Sequence, residues 1–165
     1  MKAIVSVIMG STSDLPVMKK ATDFLNEMQI PFEVNALSAH RTPEAVEAFA
    51  KGAKERGIKI IIAAAGMAAH LAGAIAANTT LPVIGIPVSS KNLGGMEALL
   101  ATVQMPSGIP VATVAIDGAV NAALLAIQML AINDKDLADK LDAKRRAATE
   151  TVLEKNKNIE EQFNK

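Results

Sequence analysis

Residues 3–14 read AIVSVIMGSTSD, an apolar run that ends in a glycine, three hydroxyl residues and an acid. The run over residues 3–9 is too short to cross a bilayer and is typical of a strand covered on both faces of a parallel sheet. Ser13 and Asp14 are residue types that cap helices, and Pro16 suits a first helical turn. The stretch therefore predicts a strand, a tight turn and a helix, the first half of a β-α-β unit.

The same strand-to-helix pattern recurs along the chain. The predicted strands are 3–9, 32–37, 58–64, 83–87 and 111–116, and the predicted helices are 13–28, 43–56, 68–78, 94–104 and 118–132. Five such units predict a flavodoxin-like, three-layer α/β/α fold with a five-stranded parallel sheet in the order 2-1-3-4-5. Because no linker or repeat interrupts them, we expect residues 1–133 to form the main domain and residues 134–165 to add a C-terminal helical tail to it.

Composition and charge narrow the class of function. The 165 residues are 50% apolar and carry 17 basic and 17 acidic side chains, so the formal net charge is zero. This balance gives no electrostatic attraction to nucleic acid or to an anionic membrane, and the four phenylalanines, the only aromatic residues, offer few platforms for base stacking. The absence of cysteine excludes disulfides and thiolate chemistry. With no signal peptide before the first strand, we expect a cytoplasmic protein that acts on a small molecule.

Two predicted helices, 68–78 and 118–132, are apolar almost all the way round. A helix of this kind must be covered on every side. The sheet covers one side, and the other meets either the C-terminal segment or a second subunit. We favour the second subunit and expect a homo-oligomer. Residues 135–165 are charge-dense with a thin apolar stripe, which fits either a solvated helix or an arm that reaches a neighbouring subunit.

Candidate functional residues lie where predicted strands end, since open parallel sheets bind ligands at the carboxyl ends of their strands. At the first junction, Ser11 and Ser13 offer hydroxyl groups beside a helix N-terminus, which suits a phosphate. Asp14 would repel a phosphate and suits a ribose hydroxyl instead. Helix capping is the commoner role of such residues when they are considered alone. Neither a GxGxxG nor a Walker A motif is present, which disfavours a dinucleotide or ATP site.

The second junction, residues 38–43, reads SAHRTP and places His40 beside Arg41. A guanidinium binds phosphate, and an imidazole takes up or releases a proton near neutral pH. Their adjacency points to an enzyme that transfers protons on a phosphorylated substrate. In the alternative, Arg41 pairs with Glu44 or Glu47 on the surface, which contributes little stability and leaves His40 unexplained.

Two further strand-to-helix junctions lie at the same predicted edge of the sheet. Residues 66–73 (GMAAHLAG) place His70 among small residues that allow close approach of a flat ligand, although a core histidine satisfied by a neighbour fits equally well. Residues 87–95 form a polar, glycine-ended loop that suits either a cover over the site or an ordinary connection. No spacing of His, Asp or Glu suits a metal, and no G-x-S-x-G motif supports a nucleophilic serine.

These motifs are similar to the signatures of one enzyme family, the class I N5-carboxyaminoimidazole ribonucleotide mutases of de novo purine (IMP) biosynthesis. The segments that carry the resemblance are residues 9–14 (MGSTSD), 38–43 (SAHRTP), 66–73 (GMAAHLAG) and 104–111 (QMPSGIPV). The resemblance covers roughly Val5 to Ile132, in order and with matching spacing. This chain departs from the family pattern at Met67, where a glycine is expected, and at Ala72, where a proline is expected.

The resemblance implies a homo-octameric isomerase, with residues 1–133 as its catalytic domain and with no metal or organic cofactor. It moves the carboxylate of N5-carboxyaminoimidazole ribonucleotide from the exocyclic nitrogen to ring carbon C4. His40 corresponds to the general acid/base, and Ser11, Asp14 and Arg41 to groups that bind the ribose-phosphate. The full set of positions expected to bind substrate is Ser11, Ser13, Asp14, Ser38, Arg41, Gly66, Ala68, Ala69 and His70.

Two alternative functions stay open at this point. Direct carboxylation of aminoimidazole ribonucleotide is the nearest rival among enzymes. A signalling or nucleotide-binding module of the same fold is the rival from another class. It is disfavoured because the first and third predicted strands end without the acidic cluster that a receiver domain needs.

Overall fold

The computed structural model describes residues 2–164. Strands and helices alternate along most of this length. In chain order they are β1 (Val5–Met9), α1 (Leu15–Glu27), β2 (Phe32–Ala36), α2 (Pro43–Lys51), α3 (Ala53–Arg56), β3 (Ile60–Gly66), α4 (Leu71–Ala76), β4 (Val83–Val88), α5 (Met96–Val103), β5 (Ala112–Thr113), α6 (Ala119–Ala131) and α7 (Lys135–Phe163). A 3-10 turn over Thr12–Asp14 leads from β1 into α1.

The strands form a parallel sheet in the order β2-β1-β3-β4-β5, which confirms the predicted topology. Met9, the last residue of β1, stands beside Ala36 of β2 and Ala64 of β3. Every residue of β1 and β4 is buried, because layers on both faces cover these strands. The parallel register brings the carboxyl ends of β1, β2, β3 and β4 to the same edge of the sheet.

Helices cover both faces of the sheet. On one face, Phe49 of α2 and Leu71 of α4 pack with Ile8 and Ile61 in a single buried cluster. Because successive strand side chains point to opposite faces, the equally buried Val7 faces the other layer, where α1 contacts β1. Apolar burial on both faces is the main favourable contribution to the stability of such a fold.

The apolar helix α4 is covered within the protomer. Four of its residues, Leu71, Ala72, Ile75 and Ala76, are buried, and the helix contacts α2, β3 and β4. The chain itself thus covers most of this helix, and the expectation that a second subunit packs against its half-buried residues, Gly73 and Ala74, stays a prediction. The small side chains of this helix allow that close packing.

The turn before α4 differs from the prediction. Met67 adopts a left-handed conformation with a φ of 51°. The amides of Ala69 and His70 then donate to the carbonyls of Met67 and Ala68, both at 2.9 Å. These residues form a tight turn, so the helix predicted from residue 68 begins only at the start of α4.

Glycines set two further helix boundaries. Gly94 and Gly95 both have positive φ, so α5 begins two residues later than predicted. Gly52 divides the helix predicted over residues 43–56 into α2 and α3, since glycine is a weak helix former. β5 is shorter than the strand predicted over residues 111–116, and the chain turns after it at Asp117, where φ is 56°.

The chain divides into two compact units, Met1–Ala126 and Ile127–Lys165. The first contains the sheet, α1 to α5 and most of α6. The second contains the end of α6 and α7, which Asp134 caps by accepting a hydrogen bond from the Leu137 amide at 3.0 Å. The predicted boundary after residue 133 falls between α6 and α7. Within residues 2–164, no helix is both long and apolar enough to cross a membrane.

Candidate active site

A cavity of about 780 Å³ lies at the edge of the sheet where β1, β2, β3 and β4 end. Each of these strands contributes the loop that follows it. The lining residues are Gly10, Ser11, Ser13, Asp14, Ser38, Ala39, His40, Arg41, Ala65, Gly66, Met67, Ala68, His70, Leu71, Val88, Ser89, Ser90, Lys91 and Asn92. The cavity therefore brings together the four junctions that the sequence singled out.

The loop after β1 combines hydroxyl groups with a buried acid. Ser11 Oγ accepts hydrogen bonds from the Ser13 amide at 3.2 Å and from the Ser13 hydroxyl at 2.8 Å, and so caps the 3-10 turn. Asp14 is only 7% exposed, yet its side chain makes no capping bond to α1. Helix capping therefore does not account for this carboxyl.

The Asp14 carboxyl is poorly solvated in its charged form. Burial raises the pKa of Asp14 above its ordinary value, and the negative charge of Asp117, which follows β5, adds to the rise. Hydrogen bonds from the Ser11 backbone and the Ser13 hydroxyl partly offset the effect of burial on this pKa. A ligand hydroxyl that donates a further hydrogen bond to this carboxylate stabilises its charged form.

The loop after β2 is a closed turn that presents Arg41. Thr42 Oγ1 accepts a hydrogen bond from the Ser38 amide at 2.9 Å and donates one to the Ser38 carbonyl at 3.0 Å. Ser38 Oγ accepts from the Arg41 amide and from Arg41 Nε, at 3.2 and 3.4 Å. Among the described residues the guanidinium forms no ion pair, so the alternative of a surface pair with Glu44 or Glu47 is wrong.

The two histidines of the chain contact each other at the cavity. His40 comes from the loop after β2 and His70 directly precedes α4, yet His40 Nε2 and His70 Nδ1 are 2.7 Å apart. The ring centroids are 4.9 Å apart and the ring planes meet at 88°. One nitrogen donates and the other accepts, so the two rings share one hydrogen. Both side chains are exposed, so His70 is not a core histidine.

The predicted site residues line the cavity with one exception. Ala69 is 1% exposed and does not line it, because the turn at Met67 directs this residue into the core. The sequence did not assign Lys91, which adds a second positive charge to the lining, besides that of Arg41. The sequence feature that could have indicated Lys91 is a lysine in a glycine-ended loop directly after a buried strand.

A second cavity, of about 910 Å³, lies at the opposite edge, where β4 and β5 begin. Its lining includes Lys51, Lys54, Asn78 and Thr80, but neither a histidine nor an acid. It is the larger of the two cavities, but it has no group suited to proton transfer near neutral pH. We therefore place the candidate active site at the carboxyl edge.

The polar groups of the active-site cavity suit an anion. Within residues 2–164, no group of three or more His, Cys, Asp or Glu side chains could hold a metal ion. The Arg41 guanidinium, the Lys91 ammonium and the hydroxyls of Ser11 and Ser13 together suit a phosphate group.

Comparison with known proteins assigns the family. The model of the AIR carboxylase (AIRC) family matches residues 4–151. The chain belongs to the AIR carboxylase family. Among relatives in this family, the N5-carboxyaminoimidazole ribonucleotide mutase of Bacillus subtilis is 58% identical over 156 residues, which cover 93% of this chain and 96% of the relative. The mutase of the same name from Pyrococcus horikoshii is 56% identical over 160 residues, which cover 97% of this chain and 90% of the relative.

The fold of this AIR carboxylase family member is also found in a solved structure, that of Treponema denticola PurE2-S38D. The two structures superpose with a TM-score of 0.87 at 28% sequence identity. The match covers 96% of this chain and 99% of the other. Similarity of fold therefore extends over nearly the whole length of both chains.

Proposed function

We propose that this member of the AIR carboxylase family is an N5-carboxyaminoimidazole ribonucleotide mutase. It converts its substrate into 4-carboxy-5-aminoimidazole ribonucleotide, a step of de novo purine (IMP) biosynthesis. The observation that carries the proposal is that two hydrogen-bonded imidazoles share one cavity with the Arg41 guanidinium. A phosphorylated substrate whose rearrangement requires proton transfer needs both of these features. The high identity to mutases over most of the chain supports the same activity.

The cavity offers separate groups for each part of the nucleotide. Arg41 and the hydroxyls of Ser11 and Ser13 bind the phosphate, with Lys91 as a further cation. The buried Asp14 carboxylate accepts a hydrogen bond from a ribose hydroxyl, which compensates for its lost hydration. The substrate-binding positions nearest the imidazole and its carboxylate are Ser38, Gly66 and Ala68.

The rearrangement needs one proton carrier and no net proton. The bond between the exocyclic nitrogen and the carboxylate carbon breaks, its electron pair stays on nitrogen, and carbon dioxide is released. His40 donates a proton to that nitrogen. Ring carbon C4 then bonds to the carbon dioxide, and the hydrogen on C4 leaves as a proton to His40, which restores the starting state. Carbon dioxide must stay beside the ring between these steps, so the substrate and its surrounding loops must enclose it.

A histidine suits both proton transfers, because its ordinary pKa lies near neutral pH. The ring of His40 must also be held in a fixed orientation toward the substrate. The hydrogen bond to His70 supplies that restraint in our proposal. No metal or organic cofactor is required by this sequence of steps.

An absorbance assay on two substrates tests the proposal. The chain is given N5-carboxyaminoimidazole ribonucleotide in bicarbonate-free buffer and, in parallel, aminoimidazole ribonucleotide with bicarbonate. We expect conversion of the N-carboxylated nucleotide and little turnover in the parallel reaction. Conversion of aminoimidazole ribonucleotide alone would instead make the chain a direct carboxylase. No turnover in either reaction would overturn the proposal.

We further propose that the chain works in the cytoplasm as a homo-oligomer, with an octamer as the expected size. Exposed apolar side chains support association: Met96, Leu100 and Val103 recur every three or four residues along α5 and are 46–52% exposed, and Leu93 just before the helix is 66% exposed. Such a stripe favours burial against another chain. Light scattering is expected to give eight times the chain mass of 17.2 kDa, and a mass of one chain would exclude the oligomer.

A further inference from the structure

Asp117 joins the end of β4 to the loop that lines the active-site cavity. Its amide donates a hydrogen bond to the Pro87 carbonyl, and its carboxylate Oδ1 accepts one from the Ser89 amide, both at 2.9 Å. These two bonds lie on either side of Val88, the last residue of β4. A single residue from the β5–α6 connection therefore fixes the point at which the chain leaves the sheet.

The segment that begins at this point contributes much of the cavity wall. Ser89, Ser90, Lys91 and Asn92 all line the cavity. Further along, Ser90 Oγ hydrogen-bonds to Glu97 and accepts a bond from the Leu93 amide at 3.3 Å. At the base of the segment, the Ser89 amide instead bonds to the Asp117 carboxylate. The position of Lys91 relative to the cavity thus depends on the hydrogen bonds at both ends of this segment.

Close packing makes the position of Ser89 sensitive to that bond. A Cβ added at Gly95 would lie 3.0 Å from Ser89 Cα and 2.8 Å from the Ile116 side chain. The backbone of Ser89 therefore rests against a glycine that leaves no spare room. Asp117 holds the same backbone through its carboxylate, so loss of this acceptor removes the hydrogen bond that fixes Ser89 against Gly95.

The arrangement at Asp117 costs stability. Its φ of 56° lies in the left-handed region, which is unfavourable for a residue with a Cβ, although aspartate tolerates it better than most. Its negative charge also disfavours ionisation of the nearby Asp14. Unfavourable backbone conformations of this kind are concentrated at functional sites. The gain offered here is the hydrogen bond that the Asp117 side-chain oxygen accepts from the Ser89 amide.

We propose that Asp117 is a positioning residue for substrate binding, which holds Ser89–Asn92 in the geometry that places Lys91 and the loop backbone against the bound nucleotide. The residue acts through the loop and does not touch the reacting atoms. This inference rests on the proposed mutase function.

Two substitutions separate the hydrogen bond from the charge. Asp117→Asn keeps a side-chain oxygen that accepts from the Ser89 amide and tolerates positive φ, whereas Asp117→Gly suits the backbone but removes the acceptor. For Asp117→Gly we expect the KM for N5-carboxyaminoimidazole ribonucleotide to rise about 10-fold, with kcat changed by less than about 2-fold. Asp117→Asn is expected to keep KM within about 2-fold of the parent chain. A fall in kcat at unchanged KM, or equal effects of both variants, would overturn the positioning role.

Hydrogen exchange of the native chain tests the positioning independently of turnover. Amides of residues 88–93 are expected to exchange about 10-fold faster in Asp117→Gly than in the parent chain, and at the parent rate in Asp117→Asn. Unchanged exchange in Asp117→Gly would overturn the proposal, and so would faster exchange with an unchanged KM. Failure of the parent chain to convert the N-carboxylated nucleotide would overturn the mutase function instead, and the two failures are thereby distinguished.

Discussion

His40 Nε2 and His70 Nδ1 share a hydrogen bond of 2.7 Å, although the two residues belong to loops that follow different strands. A bond of this kind holds one hydrogen between the two nitrogens. Protons on both facing nitrogens at once would break it. The bond fixes the His40 ring relative to the His70 ring at the cavity, which is the restraint that a positioned proton carrier needs.

Replacement of His40 by asparagine tests the proton carrier directly. We expect His40→Asn to lower kcat for the N-carboxylated nucleotide by about 10²- to 10⁴-fold, the usual contribution of a positioned acid or base. The His40 side chain is exposed, so the thermal unfolding midpoint should change little. A folded variant with nearly normal turnover would show that another group carries the proton.

His70 should act through its contact with His40. His70→Phe keeps an aromatic ring but has no nitrogen to bond to His40, and we expect kcat to fall about 10-fold because the His40 ring loses its restraint. His70→Asn is the matched control, since its amide can still donate or accept. Its kcat should lie between those of the parent chain and His70→Phe. Equal activity of both variants would mean that the hydrogen bond has no role in turnover.

Asp14 makes stability depend on pH in a direction opposite to that of most carboxylates. Its pKa is raised in the folded state above the ordinary value of 3.8, mainly by burial, so the native chain binds its proton more tightly than the unfolded chain does. Stability therefore falls as pH rises from the unfolded pKa through the folded pKa, and stays lower at neutral pH. Asp14→Asn is accordingly expected to raise Tm at neutral pH and to lose this advantage near pH 3.8 and below.

Thermal denaturation from about pH 3.5 to about pH 7.5 measures this difference in Tm, with Asp142→Asn on exposed α7 as the control for loss of an acidic charge. The same Asp14→Asn variant should raise KM, because a carboxylate that binds a ribose hydroxyl is lost. A gain in stability with a loss of substrate affinity is typical of an active-site charge. A lower Tm for Asp14→Asn at neutral pH would show that the native hydrogen bonds of this carboxylate outweigh the cost of its burial.

The strands of the sheet could be predicted because they rest on local patterns, and their order followed from the flavodoxin-like arrangement that five β-α units favour. Continuous apolar runs mark β1, β3 and β4, and the polar residues that follow them fix which edge carries the ligand site. The placement of Ser11, Ser38, Arg41 and His70 at one cavity follows from that edge alone. No detail of side-chain packing was needed for this part of the prediction.

Features that depend on the exact path of a loop could not be read from the sequence. The contact between His40 and His70 requires two loops to approach within hydrogen-bond distance, which no residue pattern encodes. The family resemblance placed the Ala69 backbone at the substrate, whereas the residue is buried after the left-handed turn at Met67 and does not line the cavity. Asp117 was missed for the same reason, since its role depends on the conformation of one residue after β5.

Met67 allows the cost of such a turn to be measured. Its φ of 51° is unfavourable for any residue with a Cβ, and its side chain is 61% exposed beside the cavity. Met67→Gly and Met67→Ala both remove the side chain, but only glycine relieves the backbone. We therefore expect the glycine variant to be more stable than the alanine variant by about 0.5–1 kcal/mol, because the greater flexibility of glycine in the unfolded chain offsets part of the relief of about 1–2 kcal/mol.

Urea denaturation of the two variants gives this difference, and their kinetics separate the side chain from the backbone. If the Met67 thioether covers the substrate, both variants should raise KM by the same factor, since both remove it. A rise in KM for the glycine variant alone would instead attribute the effect to a more mobile turn between β3 and His70. Equal stability of the two variants would contradict the assignment of backbone strain to Met67, because alanine retains the Cβ that makes the left-handed conformation costly.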